Sequence, residues 1–203
     1  DGGLVLMGAN ILVIGFIPGF VGYGVFQMVK DQSRGVKLGV TAVAAWASVM
    51  IAAFVTALLL GFSGTTALGG AIPAMLGIHA LIGLGEALIT VAALSFIMQT
   101  RPQLLTDAAP AGSGKWIVAG IILALVVVLF APLASGSPDG LEWVAEQTGF
   151  IDTALDAPYE LLPDYTIPGL GETGLSTILA GVVGALIVAG ITFGLGRVLR
   201  RSS

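Results

Sequence analysis

The chain of 203 residues is 56% hydrophobic and only 10% charged, with a net charge of −4 and no cysteine. A soluble domain carries about 25% charged residues, and a fold of this size has too little interior to hide so much apolar side chain from water. These figures exclude a water-soluble globule and a disulfide or thiolate metal scaffold; with eight Lys and Arg in all, they also exclude a basic nucleic-acid-binding face. The fold class they predict is an all-α integral membrane protein. Five stretches supply the roughly 20 residues that a helix needs to cross about 30 Å of hydrocarbon. In chain order they are Gly3–Val29, Leu38–Phe62, Ala74–Gln99, Trp116–Ala134 and Leu175–Leu195. The first has no basic flank and so does not read as a signal peptide. The chain begins without methionine, and reads as a fragment or processed product lacking its amino-terminal part. Pro18, inside Gly15-Phe-Ile-Pro-Gly19, removes a helix donor, so the first span is expected to be broken or bent.

Charge orients the bundle. Lys30, Arg34 and Lys37 lie in one loop, Arg101 and Lys115 in a second, and Arg197, Arg200 and Arg201 in the tail; together they are all eight basic residues. By the positive-inside rule those three groups are cytoplasmic. The segment 136–174 has no Lys or Arg but carries Asp139, Glu142, Glu146, Asp152, Asp156, Glu160, Asp164 and Glu172. It is expected outside, with the amino end also outside and the carboxyl end in the cytoplasm.

The chain divides into a glycine-rich transmembrane module over 1–105, a linker over 106–115, and a helical hairpin over 116–203 enclosing the acidic external segment. Thr106–Lys115 has the proline, glycine and small-residue content of a linker. Gly112-Ser-Gly-Lys115 is no phosphate loop, because the required upstream glycine is missing and Trp116 stands where a magnesium-binding Ser or Thr would be. The sequence holds no Ser–His–Asp arrangement and no HExxH motif, so no enzyme activity is expected.

Three polar residues within the spans are candidates for function. His79 and Glu86 are seven residues apart, almost two helical turns, and share one face of the third span. One reading is a proton or cation site facing the bundle interior, since carboxylates in lipid are costly and mostly functional. The other is a hydrogen-bonded packing pair on a face softened by Gly77, Gly83 and Gly85. Asn10, early in the first span, either lines a polar cavity or bonds another helix. The external acids lack calcium-loop spacing and read as a solvated loop. Gly15-xxx-Gly19 and Gly190-xxx-Gly194 fit small-residue helix packing.

Several segments together resemble a known family. Asp1-Gly-Gly-Leu4, Gly8-Ala-Asn10, Phe20-Val-Gly-Tyr23, Ala45-Trp46, Ser63-Gly64 and Pro73-Ala-Met-Leu-Gly-Ile-His-Ala-Leu-Ile-Gly-Leu-Gly-Glu-Ala-Leu-Ile-Thr90 are similar to the CbiM/NikM proteins, and the likeness ends near Arg101-Pro102. These are metal-capturing membrane subunits of cobalt and nickel energy-coupling-factor transporters. Pro138, Asp139, Gly140, Leu141 and Glu142, with Trp143–Phe150 after them, resemble the PDGLE domain, related to the CbiN/NikN accessory subunits.

The resemblance implies a multi-pass plasma-membrane component of an ATP-driven cobalt or nickel uptake system, feeding cobalamin synthesis or nickel enzymes. Its partners would be a coupling transmembrane subunit, ATPase subunits and the lipid bilayer, with no nucleic acid. The family's metal ligands are a terminal amine, the histidine of a Met-His start and a histidine in a Gly-Thr-Ser-x-His segment. All lie upstream of Asp1, so no metal or cofactor is expected to be held by this chain alone, and transported Co2+ or Ni2+ would bind it weakly at best. Other readings of the same residues are a proton-coupled secondary carrier using His79 and Glu86, and an accessory membrane subunit with no substrate site of its own.

Overall fold

The computed structural model describes residues 6–100, 102, 115–134, 136–155, 162 and 165–199. The opening motif Asp1–Leu4, the linker apart from Lys115, and Arg101, Asp156, Glu160, Asp164, Arg200 and Arg201 lie outside the described residues. The protein is an all-helical membrane protein. Among the described residues four helical stretches are long and apolar enough to cross a membrane: Met7–Val29, Arg34–Phe62, Leu68–Thr100 and Gly174–Val198.

The first stretch is interrupted, as its proline predicts. It consists of α1 (Met7–Asn10), a π-helical segment (Ile11–Phe16) and α2 (Ile17–Val29). The Ile17 N–H donates to the Leu12 carbonyl, five residues back. Pro18 therefore falls in the first turn of α2, where a missing N–H costs least. The irregularity is moved into the turn before the proline rather than placed at it.

α3 (Arg34–Phe62) and α4 (Leu68–Thr100) form a tight pair. The Ser63-Gly64 motif ends α3. Gly64 adopts φ +76°, which disfavours a side chain, and the Thr65 N–H returns to the Leu60 carbonyl at 3.0 Å. α4 begins at Leu68, earlier than the expected Ala74, with Pro73 inside it. So near the helix start, the proline deprives only one early carbonyl of its donor, and the helix carries on through it.

The buried residues of the pair are mostly small: Ala44, Ser48, Ala53 and Ala57 on α3, and Ala71, Met75, Gly83 and Ala87 on α4. The Trp46 indole N–H donates to the Ala80 carbonyl at 3.0 Å, and Arg34 Nη2 donates to Ser95 Oγ at 2.8 Å. These polar ties fix the register of the pair at two separate levels.

The described residues fall into two compact units, 1–109 with 137–157, and 110–136 with 158–203. Within the first unit, α6 (Gly140–Thr148) packs on α4. Val144, Ala145 and Phe150 join Ala53, Ala57, Ala71 and Met75 in one buried cluster.

The second unit holds α5 (Lys115–Val128) and α7 (Gly174–Leu199). α5 has 14 residues, fewer than the span expected over Trp116–Ala134. It gives way to a 3-10 turn, Ala131–Leu133, around Pro132, whose ring disfavours α-helical geometry at the residue before it. Gly181 meets Val128 and Gly174 meets Pro132, so glycines bring α7 close to the end of α5. Ser176, fully buried, accepts from the Ile167 N–H at 2.6 Å, and Thr173 Oγ1 accepts from the Ser176 N–H at 3.2 Å in the first turn of α7.

Candidate functional site

The first unit has a half-open cavity of about 460 Å³ between the first helical stretch, α3 and α4. Its α4 wall contains His79, Glu86 and Thr90; its α3 wall contains Thr41, Ser48 and Thr56. Val13, Ile14, Pro18, Gly22 and Val25 close the third side. His79 and Glu86 thus face one space, as their seven-residue spacing requires. Asn10, half-buried at the end of α1, does not line it.

Local chemistry fixes the polarity of this wall. The His79 Nδ1 lies 2.8 Å from the Met75 carbonyl. A carbonyl can only accept, so Nδ1 carries the proton and Nε2 is left as the imidazole's other nitrogen. The Ser48 hydroxyl donates to the Ala45 carbonyl at 2.8 Å, and that of Thr56 to the Ala52 carbonyl at 3.0 Å. Both hydroxyl protons are spent on the helix, which leaves oxygen lone pairs toward the cavity. Glu86 is exposed and makes no hydrogen bond or ion pair among the described residues. Among the described residues no Lys or Arg lines the cavity.

Of the three glycines near this face, only Gly83 meets another helix. A Cβ there would lie 3.0 Å from Trp46 Cδ1 and 3.4 Å from Val49, whereas Gly77 and Gly85 have nothing within 4 Å. Gly15, Gly19, Gly190 and Gly194 likewise have open space around them.

The Pro138–Glu142 motif turns out to be a helix start. Asp139 Oδ1 accepts from the N–H groups of Leu141 (2.8 Å) and Glu142 (2.9 Å), and Glu142 Oε2 accepts from the Asp139 N–H at 3.3 Å. This reciprocal capping box is the Asp-x-x-Glu pattern at work. Gly149, at φ +78°, ends the helix. Gly140 has a different task. A Cβ there would lie 2.9 Å from Ile82 Cδ1 and 3.0 Å from His79 Cε1, so only glycine lets α6 rest against the imidazole.

The α6–His79 contact was beyond sequence reasoning, since its partners lie about sixty positions apart. The hydroxyls of α3 did leave a signal: Thr41, Ser48 and Thr56 recur every seven or eight residues, which is one helical face. Among the described residues, those of the acidic segment 136–174 included, no group of three or more His, Cys, Asp or Glu could hold an ion.

Residues 1–104 match the family described as cobalt uptake substrate-specific transmembrane region, CbiM, and residues 114–201 match the PDGLE domain. A relative in Archaeoglobus fulgidus, named as a fused nickel transport protein NikMN, is 32% identical over 98% of this chain and 67% of its own length. Two proteins of Haloquadratum walsbyi, each named as a metal transport protein, are 34% and 31% identical over 52% and 42% of this chain, and over 48% and 89% of their own lengths. No solved structure matches the chain.

Proposed function

Because the chain belongs to the CbiM cobalt-uptake family and carries a PDGLE domain, we propose that it is a membrane component of an ATP-driven cobalt or nickel uptake transporter of the energy-coupling-factor type. The observation that carries this reading is the joint presence of both modules in one chain, as in a relative named for nickel transport. ATP would be hydrolysed by separate subunits and transmitted by a coupling transmembrane subunit. The chain would sit in the plasma membrane with the acidic segment 136–174 outside and the carboxyl end in the cytoplasm. The basic residues beside the spans, Lys30, Arg34, Lys37 and Arg197 among them, support that orientation.

The chain's own residues suit cargo of positive charge. Glu86 supplies a carboxylate, and Ser48 and Thr56 supply lone pairs, in a wall with no Lys or Arg among the described residues.

The test is uptake of radioactive cobalt by cells that carry the chain, the coupling subunit and the ATPases. Uptake should vanish when the ATPase catalytic residues are disabled. Uptake that continues without ATP hydrolysis would instead identify a secondary carrier, the alternative that the Glu86 cavity favours.

A further inference from the structure

We infer that the cavity between the first helical stretch, α3 and α4 is a water-filled vestibule in which the Glu86 carboxylate holds a hydrated divalent cation in transit. The inference deepens the transport reading above and rests on it. It concerns a different place from the amine and histidine ligands that the resemblance implies for the family.

Size comes first. At about 30 Å³ for each water, 460 Å³ accommodates roughly fifteen, while an ion with six waters needs about 180 Å³. The ion can therefore enter with its shell intact, and no cage of protein ligands is required. That suits a wall without three clustered metal-ligating side chains among the described residues.

The polar side chains of the wall, set among alanines and valines, also share one polarity. Glu86 contributes the negative charge, and among the described residues no Lys or Arg of the lining opposes it. The protons of Ser48 and Thr56 are committed to helix carbonyls, so what these hydroxyls turn to water is their acceptor side. Acceptors of this kind orient the outward hydrogens of an ion's water shell.

The backbone gives an independent sign of water. The π-helical segment supplies Val13 and Ile14 to the cavity, and Pro18 lines it too. Pro18 can donate to neither the carbonyl four residues back nor the one five back, and those belong to Ile14 and Val13. Irregular backbone at membrane depth is tolerated where it is buried in protein or lines a water-filled space.

Weakness is part of the device. An ion that must move on cannot be held in a deep well, and a single carboxylate acting through water is a shallow one. His79 stands about 10 Å further along α4, two turns from Glu86.

The single histidine of the chain makes the inference testable. The full chain, purified without a histidine tag and labelled with isotopic histidine, is placed in lipid nanodiscs and titrated with Co2+, with Mg2+ as the diamagnetic reference. Co2+ should broaden the one imidazole signal. Glu86→Gln should raise the cobalt concentration needed by about ten-fold or more, the effect of removing one unit charge about 5 Å from a divalent ion even at the dielectric of water. Glu86→Asp should preserve the broadening, and Glu146→Gln, outside the cavity, should leave it unchanged.

A measurement on the unaltered chain guards against a variant that does not fold. Dicyclohexylcarbodiimide should modify Glu86, read by mass spectrometry, and Co2+ should slow that modification. Broadening indifferent to Glu86→Gln, or modification indifferent to Co2+, would overturn the vestibule. So would a pH titration of His79 that depends on Glu86 while cobalt has no effect, because that pattern belongs to a proton relay. If ATP-dependent cobalt uptake persists while both cobalt effects at Glu86 are missing, the vestibule fails and the transport reading stands. Cobalt effects at Glu86 alongside uptake that ignores ATP would refute the transport reading alone.

Discussion

Adding one methyl group at Gly140 should loosen α6 from α4. The new Cβ would lie 2.9 Å from Ile82 Cδ1, 3.0 Å from His79 Cε1 and 3.2 Å from His79 Nε2. Ile82 can retreat, because Cδ1 is the end of a flexible chain. The imidazole cannot easily do so, since its Nδ1 is tied to the Met75 carbonyl at 2.8 Å. Overpacking of this kind costs about 1–3 kcal/mol, offset by up to about 1 kcal/mol of alanine's better helix propensity. A net loss of about 1 kcal/mol multiplies the undocked population of α6 roughly five-fold.

Hydrogen exchange of the amides from Trp143 to Thr148 in nanodiscs reads this directly. Gly140→Ala should speed their exchange, Gly140→Leu should speed it further, and Gly136→Ala, with nothing within 4 Å, should not. His79→Ala should rescue Gly140→Ala, because the two substitutions share one contact. Exchange as slow in Gly140→Leu as in the unaltered chain would refute the docking of α6 on His79.

Two further outcomes follow from the packing and the charge pattern. Gly83→Leu should drive α3 and α4 apart, since a Cβ there already meets Trp46 at 3.0 Å; the expected cost is about 1–3 kcal/mol or more, seen as a lower thermal midpoint in detergent, and an unchanged midpoint would argue against this interface. Single cysteines at Asp152 and at Ser203 should be labelled by an impermeant reagent from opposite sides of the membrane, and labelling from the same side would reject the proposed orientation.

Which features could be read in advance depended on how local their causes are. The long apolar runs predict helices because hydrocarbon leaves the backbone no other partner, and the interruption near Pro18 follows from one missing donor. The third span, expected from Ala74, begins at Leu68 instead, since near a helix start the donor that Pro73 lacks is tolerated. The Asp139-x-x-Glu142 spacing is a legible capping box, yet it reads first as a family motif. Glycine contacts were not legible. Gly15 and Gly19 have the spacing of a packing motif and meet nothing within 4 Å, while Gly61, Gly83 and Gly181 meet Leu68, Trp46 and Val128. Spacing shows which face a glycine occupies, and only the path of the neighbouring helix shows whether that face is covered.

The interleaving of the two units has a consequence for synthesis. Ala53, Ala57, Ala71 and Met75 leave the ribosome well before Val144 and Phe150, the residues that complete their cluster. Val144 follows Met75 by about 70 residues, a delay of roughly 4–14 s at 5–20 residues per second. In that interval the apolar patch on the α3–α4 pair stands uncovered, and α5 must be made before α6 can reach it. The first unit is therefore finished late, by a segment synthesised after the second unit has begun. A stall between Lys115 and Ser137 should leave a nascent chain whose helix pair is formed but open to other apolar partners.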